Sequence, residues 1–307
     1  MTVLPNPLLD PLRTVARMPW KSLVDEIGLL LKDEAVQVPP RLVQALPGGG
    51  SLFVMPALDG RIAITKLITY TPANAACGLP AIQGDVVVFD LSTGQRHLLL
   101  DGPTITARRT AAVSAFAAHR LASNTHGPML IIGAGVQGKA HMEVFADVLG
   151  VSEFWIASRR PESATRLMAH GEAMGLKTRL VLDANAALAD CPLAVTCTPA
   201  SGVVLDALPR ADGFISAVGA FTPKMVELSP RLCKHFADRG HIFVDTVDAM
   251  HEAGDLLQAG LNVGSFATLA DVVRRDMKKP AGPVLFKSCG WAGWDLAAAR
   301  VACRSQP

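Results

Sequence analysis

Residues 129–138 read Met-Leu-Ile-Ile-Gly-Ala-Gly-Val-Gln-Gly, a pattern that decides the fold of the second half of the chain. The apolar residues predict a buried strand, the glycines a tight turn, and the stretch from Val136 to Leu149 a helix. Without side chains in the turn, the backbone can approach a pyrophosphate, which the free N–H groups of the helix also attract. We therefore predict that a dinucleotide contacts Gly133, Gly135, Val136, Gln137 and Gly138.

The residues that follow the next predicted strand, Glu153–Ala157, indicate which dinucleotide is preferred. Dinucleotide-binding folds usually place an acid there, which bonds the ribose 2′-hydroxyl of NAD. Ser158, Arg159 and Arg160 stand there instead. Because arginine can donate two parallel hydrogen bonds to a 2′-phosphate, which an acid would repel, the triplet predicts a preference for NADP(H). NAD(H) is the alternative cofactor, and a solvated pair of arginines is the alternative reading of the triplet.

The composition is typical of a globular protein, with 307 residues, 50% of them hydrophobic, and a net charge of +2. That length allows a large core and two domains. The charge gives no reason to expect a nucleic-acid or membrane partner, and no apolar run has the length of a spanning helix. Six cysteines form no C-x-x-C pair and the N-terminus has no secretory pattern, so we expect a cytoplasmic protein. The scattered histidines have no ligand spacing, so we expect no metal.

Two blocks of the chain differ in pattern. Residues 126–275 alternate strands and helices, which predicts an NAD(P)-binding domain with a doubly wound parallel sheet of the Rossmann type. The expected strands are Met129–Gly133, Glu153–Ala157, Lys177–Val181, Leu193–Cys197, Gly213–Val218 and His241–Asp245, and helices are expected at Pro161–Met174 and Pro230–Phe236.

Residues 1–125 are expected to form a smaller α+β domain with a largely antiparallel sheet. Turn signals at Asp59-Gly60 and Ser92-Thr93-Gly94 predict two hairpins. The expected strands are Ser51–Met55, Arg61–Tyr70, Asp85–Asp90 and Gln95–Leu100, with helices at Trp20–Lys32 and Thr104–Leu121. A last helix, Trp294–Cys303, is expected to pack back on this domain, so that residues 276–307 complete it.

Two cations stand on apolar faces of this first domain. Lys66 shares one side of its predicted strand with isoleucines, a costly position unless an anion meets the amine or its stem carries it to water. Arg109 shares a helix face with apolar residues, whereas Arg108 is expected to point to solvent. With Arg41 on a stiff segment nearby in sequence, these cations predict a site for a small carboxylate. Internal pairing with acids such as Asp85 is the alternative.

Many pieces of the sequence together resemble the ornithine cyclodeaminase/mu-crystallin family over almost the whole chain. They are Pro39-Pro40-Arg41, Met55-Pro56, Lys66 followed by Thr-Pro-Ala-Asn at 71–74, Thr-Ala-Arg-Arg-Thr-Ala-Ala-Val-Ser at 106–114, the glycine turn with Gln137, Cys197-Thr198-Pro199, Val244-Asp245, Glu-Ala-Gly-Asp at 252–255, and Phe286-Lys287-Ser288.

The resemblance implies that Arg41, Lys66 and Arg109 hold the substrate carboxylate, and that the protein is a homodimer formed through its antiparallel sheets. Thr198 and Val218 join the expected cofactor contacts. One departure matters. Cyclodeaminases of the family have a catalytic aspartate where this chain has Phe221, and a phenyl ring transfers no protons. The surrounding Ala-Phe-Thr-Pro is more similar to the ketimine reductases of the family.

We therefore expect an NADPH-dependent reductase of Δ1-pyrroline-2-carboxylate and Δ1-piperideine-2-carboxylate, giving L-proline or L-pipecolate. Lys66 and Arg109 are the expected catalytic residues, with Arg41 and Phe221 completing the substrate site. The alternatives are an ornithine cyclodeaminase, an alanine-type dehydrogenase, or a non-catalytic NADPH- and ligand-binding protein similar to mu-crystallins.

Overall fold

The computed structural model describes residues 8–199 and 202–304, apart from the side chains of residues 8 and 75. The described chain forms two compact units. The first contains residues up to 109 and from 291 onward, and the second contains residues 110–290. None of the helices among these residues has the length and apolarity that crossing a membrane requires.

Fourteen strands and eleven α-helices lie within residues 8–199 and 202–304. The strands are β1 Leu8–Leu9, β2 Leu42–Ala45, β3 Ser51–Leu58, β4 Ile62–Tyr70, β5 Ile82–Asp90, β6 Arg96–Asp101, β7 Met129–Ile132, β8 Glu153–Ala157, β9 Lys177–Val181, β10 Leu193–Thr196, β11 Phe214–Ala217, β12 His241–Val244, β13 Ala267–Thr268 and β14 Val284–Lys287. The helices are α1 Pro11–Ala16, α2 Trp20–Leu30, α3 Gly102–Leu121, α4 Val136–Leu149, α5 Pro161–Ala173, α6 Ala184–Ala187, α7 Pro230–Arg239, α8 Ala249–Glu252, α9 Gly254–Gln258, α10 Leu269–Arg274 and α11 Ala292–Arg304, with short 3-10 helices at Pro72–Cys77 and Val263–Ser265.

The first unit contains a six-stranded sheet in the order β1-β6-β5-β4-β3-β2. Its neighbouring strands are antiparallel, except that β1 runs parallel to β6. The hairpin between β3 and β4 turns at Asp59, whose Oδ1 accepts hydrogen bonds from the N–H groups of Arg61 and Ile62 at 2.6 and 2.8 Å. This confirms the expected hairpins and antiparallel sheet.

Helix α11 packs on α2, β3 and β4 of the first unit, and its residues 292–302 are buried. Arg300 anchors the helix by three ion pairs. Its Nε lies 2.6 Å from Asp59 Oδ2, its Nη1 3.2 Å from Glu26 Oε1 and its Nη2 2.5 Å from Asp33 Oδ2. Because Asp59 starts a hairpin and Glu26 lies on α2, one buried guanidinium ties the last helix to separate parts of the unit.

The second unit contains an eight-stranded parallel sheet in the order β13-β12-β14-β11-β10-β7-β8-β9. The strands at its centre, such as β7 and β10, are buried on both faces, as in sheets covered on both sides by helices. The expected strands of residues 126–275 are all present, each within one residue of its expected bounds. The α/β class with one parallel and one antiparallel sheet is confirmed.

Strand β14 is the main difference from the expectation. Residues 276–307 were expected to complete the first domain, yet β14 pairs with β11 on one side and β12 on the other, inside the parallel sheet. The structure therefore places residues 276–290 in the second unit, and residues 110–125 with them. The strand has only four residues, three apolar ones followed by Lys287, between glycine-containing loops. A run this short did not predict a strand.

Candidate active site

The glycine turn after β7 is shaped by contacts that a side chain would break. Gly133 has φ +118°, and a Cβ there would lie 2.7 Å from the carbonyl oxygen of Cys197. A Cβ on Gly138, in the first turn of α4, would lie 2.1 Å from the carbonyl oxygen of Gly133. A Cβ on Gly135 would meet nothing within 4 Å. Packing thus explains Gly133 and Gly138, while the open space beside Gly135 fits a ligand that approaches the backbone.

A groove of about 540 Å³ runs past this turn, at the carboxyl ends of β7, β8, β9 and β10. Such an edge of a parallel sheet is where dinucleotides bind. Of the residues expected to contact a cofactor, those that line the groove are Gly133, Gly135, Ser158, Arg159, Arg160 and Thr198. Val136, Gln137 and Gly138 begin α4 next to the turn, and Val218 follows β11. The residues present therefore fit a dinucleotide.

The end of β8 presents the expected cations to this groove. Arg159 and Arg160 are exposed, and Ser158 is half-buried. The groove also contains an acid, Asp183, but its Oδ1 accepts hydrogen bonds from the N–H groups of Asn185 and Ala186, at 2.9 and 3.2 Å. That acid caps the start of α6, which leaves the two arginines available to an anion in the groove.

Glu227 is a fully buried acid to which the sequence analysis gave no role. Its carboxylate accepts hydrogen bonds from the N–H groups of Thr198 and Gly219, both at 2.7 Å, and of Ala220 at 3.2 Å. The hydroxyl groups of Thr196 and Thr198 also donate to it, at 3.0 and 2.9 Å. Burial raises the pKa of Glu227. One side chain thereby holds together the segments that follow β10 and β11, beside the groove.

Two acids between residues 245 and 255, Asp255 and Asp245, have structural partners. Asp255 is buried and lies 2.6 Å from Nζ of Lys287, and its Oδ1 accepts hydrogen bonds from the N–H groups of Glu227 and Leu228. Asp245 accepts the hydroxyl of Ser288 at 2.7 Å. Both acids therefore bind groups of the fold itself.

The first unit contains a second group of functional candidates, which we name the buried charge cluster: Lys66, Arg109 and Asp295. Lys66 is 1% exposed, on the inward face of β4 with Ile64 and Ile68. Its Nζ lies 3.1 Å from Oδ1 and 2.8 Å from Oδ2 of Asp295, which is fully buried on α11. A lysine that reaches water is thus excluded, and the anion that meets the amine is an acid other than those considered from the sequence.

Arg109 approaches the same carboxylate from α3. Its Nε lies 3.3 Å from Asp295 Oδ1, without hydrogen-bond geometry, and this buried Nε finds no hydrogen-bond partner among the residues that the structure describes. Two positive charges therefore share one negative charge in the buried charge cluster. Burial lowers the pKa of Lys66, and the positive charge of Arg41 lowers this pKa further.

Two other predicted positions lie outside the cluster. Arg108 is buried rather than solvated, because it donates two hydrogen bonds to the carbonyl oxygen of Met18, at 2.6 and 3.2 Å, and stacks on the ring of Trp20. Phe221 belongs to the second unit, where it is partly buried against the hydrophobic core. Within residues 8–199 and 202–304, no group of three or more His, Cys, Asp or Glu side chains could hold a metal ion.

The two sheets and the groove beside the glycine turn define a two-unit α/β protein of the dinucleotide-binding class. The chain belongs to the ornithine cyclodeaminase/mu-crystallin family, whose family model matches residues 23–305.

The chain is similar over most of its length to relatives whose names state an activity. A Δ1-pyrroline-2-carboxylate/Δ1-piperideine-2-carboxylate reductase of Azospirillum brasilense is 36% identical over 307 residues, covering 98% of this chain and 97% of its own. The ketimine reductase mu-crystallin of Rattus norvegicus is 32% identical, covering 88% and 85%. The structure of Thermococcus litoralis Δ1-pyrroline-2-carboxylate reductase in complex with NADH and L-proline has a TM-score of 0.89 at 23% identity, covering 96% of each chain, and supports the fold.

Proposed function

We propose that this protein is an NADPH-dependent reductase of cyclic 2-carboxy imines, Δ1-pyrroline-2-carboxylate and Δ1-piperideine-2-carboxylate, giving L-proline and L-pipecolate. The observation that carries the proposal is the buried charge cluster, in which Lys66 and Arg109 share the single carboxylate of Asp295. A substrate carboxylate would supply the missing negative charge. The similarity over nearly the full chain to reductases that carry these substrates in their names supports it.

Four side chains act on the substrate in this proposal. Arg41 and Arg109 bind the substrate carboxylate, and Lys66 shares that contact and supplies a proton to the ring nitrogen. Bound NADPH supplies the hydride to the imine carbon. Phe221 contacts the methylene carbons of the ring and excludes water. Since a phenyl ring stands where cyclodeaminases have an acid, the residue favours imine reduction over deamination of ornithine.

The direct test is NADPH oxidation by the purified protein with each cyclic imine. Parallel reactions contain ornithine with NAD, and pyruvate with ammonia and NADH. Oxidation with the imines supports the proposal. Ammonia release from ornithine would identify a cyclodeaminase, oxidation that requires pyruvate and ammonia an alanine-type dehydrogenase, and tight NADPH binding without any turnover a binding protein.

Gly135 provides a test of cofactor placement. Gly135→Ala is expected to weaken NADPH binding at least tenfold, or about 1.4 kcal/mol, because the new methyl group occupies space that the proposal gives to the pyrophosphate. The fold should tolerate it, since Gly135 has φ −94° and its Cβ meets nothing within 4 Å. Fluorescence titration with NADPH measures the affinity.

The matched control is Gly60→Ala, at a hairpin glycine whose Cβ also meets nothing within 4 Å. This variant should bind NADPH as the wild type does. Equal affinity of Gly135→Ala and wild type would contradict the placement of the pyrophosphate at this turn.

The preference for NADP(H) is proposed from Ser158, Arg159 and Arg160. A charge-assisted hydrogen bond contributes about 1.5–3 kcal/mol, so the loss of at least one such bond when both arginines are replaced by alanine is expected to lower kcat/KM for NADPH at least about 10- to 150-fold. The value for NADH should stay within about twofold, because NADH has no 2′-phosphate. Steady-state kinetics with both cofactors measure the effect, with the exposed Arg239→Ala as control. Equal losses with NADH and NADPH would contradict a role in selecting the phosphate.

We further propose a homodimer in the cytosol. On the outer face of the first unit's sheet, Leu42, Val54 and Leu67 lie in one row across β2, β3 and β4, and Leu42 and Leu67 are 54% and 46% exposed. An apolar row of this kind suits contact with a second copy. All six cysteines are free thiols, as in proteins of reducing compartments. Sedimentation equilibrium tests the oligomeric state.

A further inference from the structure

Asp295 is the acid of the buried charge cluster, and it has no task in the function proposed above. It lies on α11 with no exposed surface, in contact with Lys66 from β4 and Arg109 from α3. An isolated carboxylate in such a place is costly. Removing it would leave two buried cations facing each other, so its presence sets the charge of the whole cluster.

We propose that Asp295 is a positioning residue that keeps Lys66 protonated and directs its Nζ, and thereby makes Lys66 the proton donor in imine reduction. This inference rests on the proposed function. Two distances carry it: both oxygens of Asp295 lie within 3.1 Å of Nζ, so the ammonium is held from one side by a single carboxylate. An ammonium has three N–H donors, so protons remain for a substrate.

The groups around Lys66 act on its charge in opposite directions. On β4 its inward neighbours, Ile64 and Ile68, are apolar. The pKa of Lys66 is lowered to about 8, because burial and the charges of Arg109 and Arg41 lower it more than the Asp295 carboxylate raises it. A lysine of this pKa releases and regains a proton near neutral pH, as a general acid must. Without Asp295, burial and both arginines would favour the neutral amine.

The proton balance of the reaction requires such a donor. The imine carbon accepts the hydride, which forms the new C–H bond. The π electron pair of the C=N bond passes to the ring nitrogen and accepts the proton that Lys66 Nζ releases, which forms the N–H bond. Lys66 then stands as a neutral amine beside Asp295 and regains a proton from water.

The test is the pH dependence of kcat/KM for Δ1-pyrroline-2-carboxylate in the wild type and in Asp295→Asn. The wild-type value should fall as the pH rises through about 8, where Lys66 loses its proton. In Asp295→Asn the fall should begin at least about one pH unit lower, because the attraction that favours the ammonium is gone. Asp295→Glu, which keeps the charge, should restore the wild-type midpoint. The exposed Asp238→Asn is the control. The substrate nitrogen titrates identically with every variant, so the difference between variants reports on the protein.

A second measurement needs no turnover. Calorimetry of L-proline binding, in buffers with different heats of ionisation, measures the protons taken up on binding. The product carboxylate favours the ammonium form of Lys66, so the wild type should take up protons at pH 8–9 and Asp295→Asn in a lower range. Lys66→Arg, whose guanidinium stays charged, should show no such uptake.

Each outcome decides a separate question. If Asp295→Asn loses activity equally at every pH with an unchanged midpoint, Asp295 serves packing alone and the inference is overturned. If Asp295→Asn fails to fold, two results together support the inference: proton uptake by the wild type that Lys66→Arg lacks, and a wild-type pH midpoint in Asp295→Glu. No proton uptake by the wild type overturns the inference. If the wild type oxidises NADPH with neither imine, the proposed function fails, while the calorimetric difference still tests the link between Asp295 and Lys66.

Discussion

Replacing Lys66 by methionine is expected to lower kcat for imine reduction about 100- to 10,000-fold, the usual contribution of a positioned general acid. Methionine is similar in length and suits the apolar surroundings of Ile64 and Ile68, so the strand should keep its packing. The remaining Arg109 still neutralises Asp295. Steady-state kinetics at pH 7 measure kcat and KM separately.

The split between kcat and KM distinguishes two roles of Lys66. Loss of kcat indicates proton transfer, whereas a raised KM with unchanged kcat would mean that Lys66 only binds the carboxylate and would contradict its assignment as the acid. The matched control is Lys177→Met, at an exposed lysine of β9. It should leave both constants unchanged.

Replacing Arg300 by methionine is expected to lower the free energy of unfolding by about 3–5 kcal/mol, the cost of removing one partner from a buried ion-pair network. The guanidinium is 4% exposed and pairs with Asp59, Glu26 and Asp33. Without it, Asp59 loses its counter-ion at 2% exposure, and Glu26, at 1% exposure, keeps only its ion pair with Arg304. Urea unfolding should show a lower midpoint with an unchanged slope.

The effect of Arg300→Met should also depend on pH. Burial alone would raise the pKa of Asp59, but the N–H groups of Ile62 and Arg61 and the charge of Arg300 lower it below the ordinary value of 3.8. A depressed carboxyl pKa stabilises the fold above that ordinary value, and the stabilisation is lost as the pH falls through the folded-state pKa. The difference between wild type and variant should therefore be largest near neutral pH and shrink below about pH 4.

The exposed Arg96→Met, in the same unit, should change the free energy of unfolding by less than about 0.5 kcal/mol. If Arg300→Met unfolds at the same urea concentration as the wild type, the ion pairs of Arg300 contribute nothing measurable to the free energy of unfolding.

The parts of this fold that the sequence predicted are those coded by neighbouring residues. The glycine turn, α4 from Val136 to Leu149 and strand β8 appear with the expected bounds, because their patterns are local. The two-residue period of β4 also placed Lys66 on the buried face correctly. A cation on an apolar face indicates that an anion is near, and this was sufficient to single out Lys66 and Arg109.

The parts that were missed depend on contacts between distant residues. Asp295 lies 229 positions after Lys66, and a single acid in an alanine-rich helix carries no local signal of its partner. Glu227 stands between Val226 and Leu228, where an acid flanked by apolar residues is the one available hint of burial. Arg108 was expected in solvent because its helix face alone was considered, whereas Met18 and Trp20 cover it from another part of the unit.

The discontinuity of the first unit gives biosynthesis an order of events. A ribosome that has delivered Lys66 and Arg109 must still translate the entire parallel-sheet unit before α11 emerges with Asp295. Until then Lys66 and Arg109, two like charges of the antiparallel unit, are without their counter-ion. The parallel-sheet unit can fold during translation, whereas the antiparallel unit reaches its final state only after α11 has left the exit tunnel.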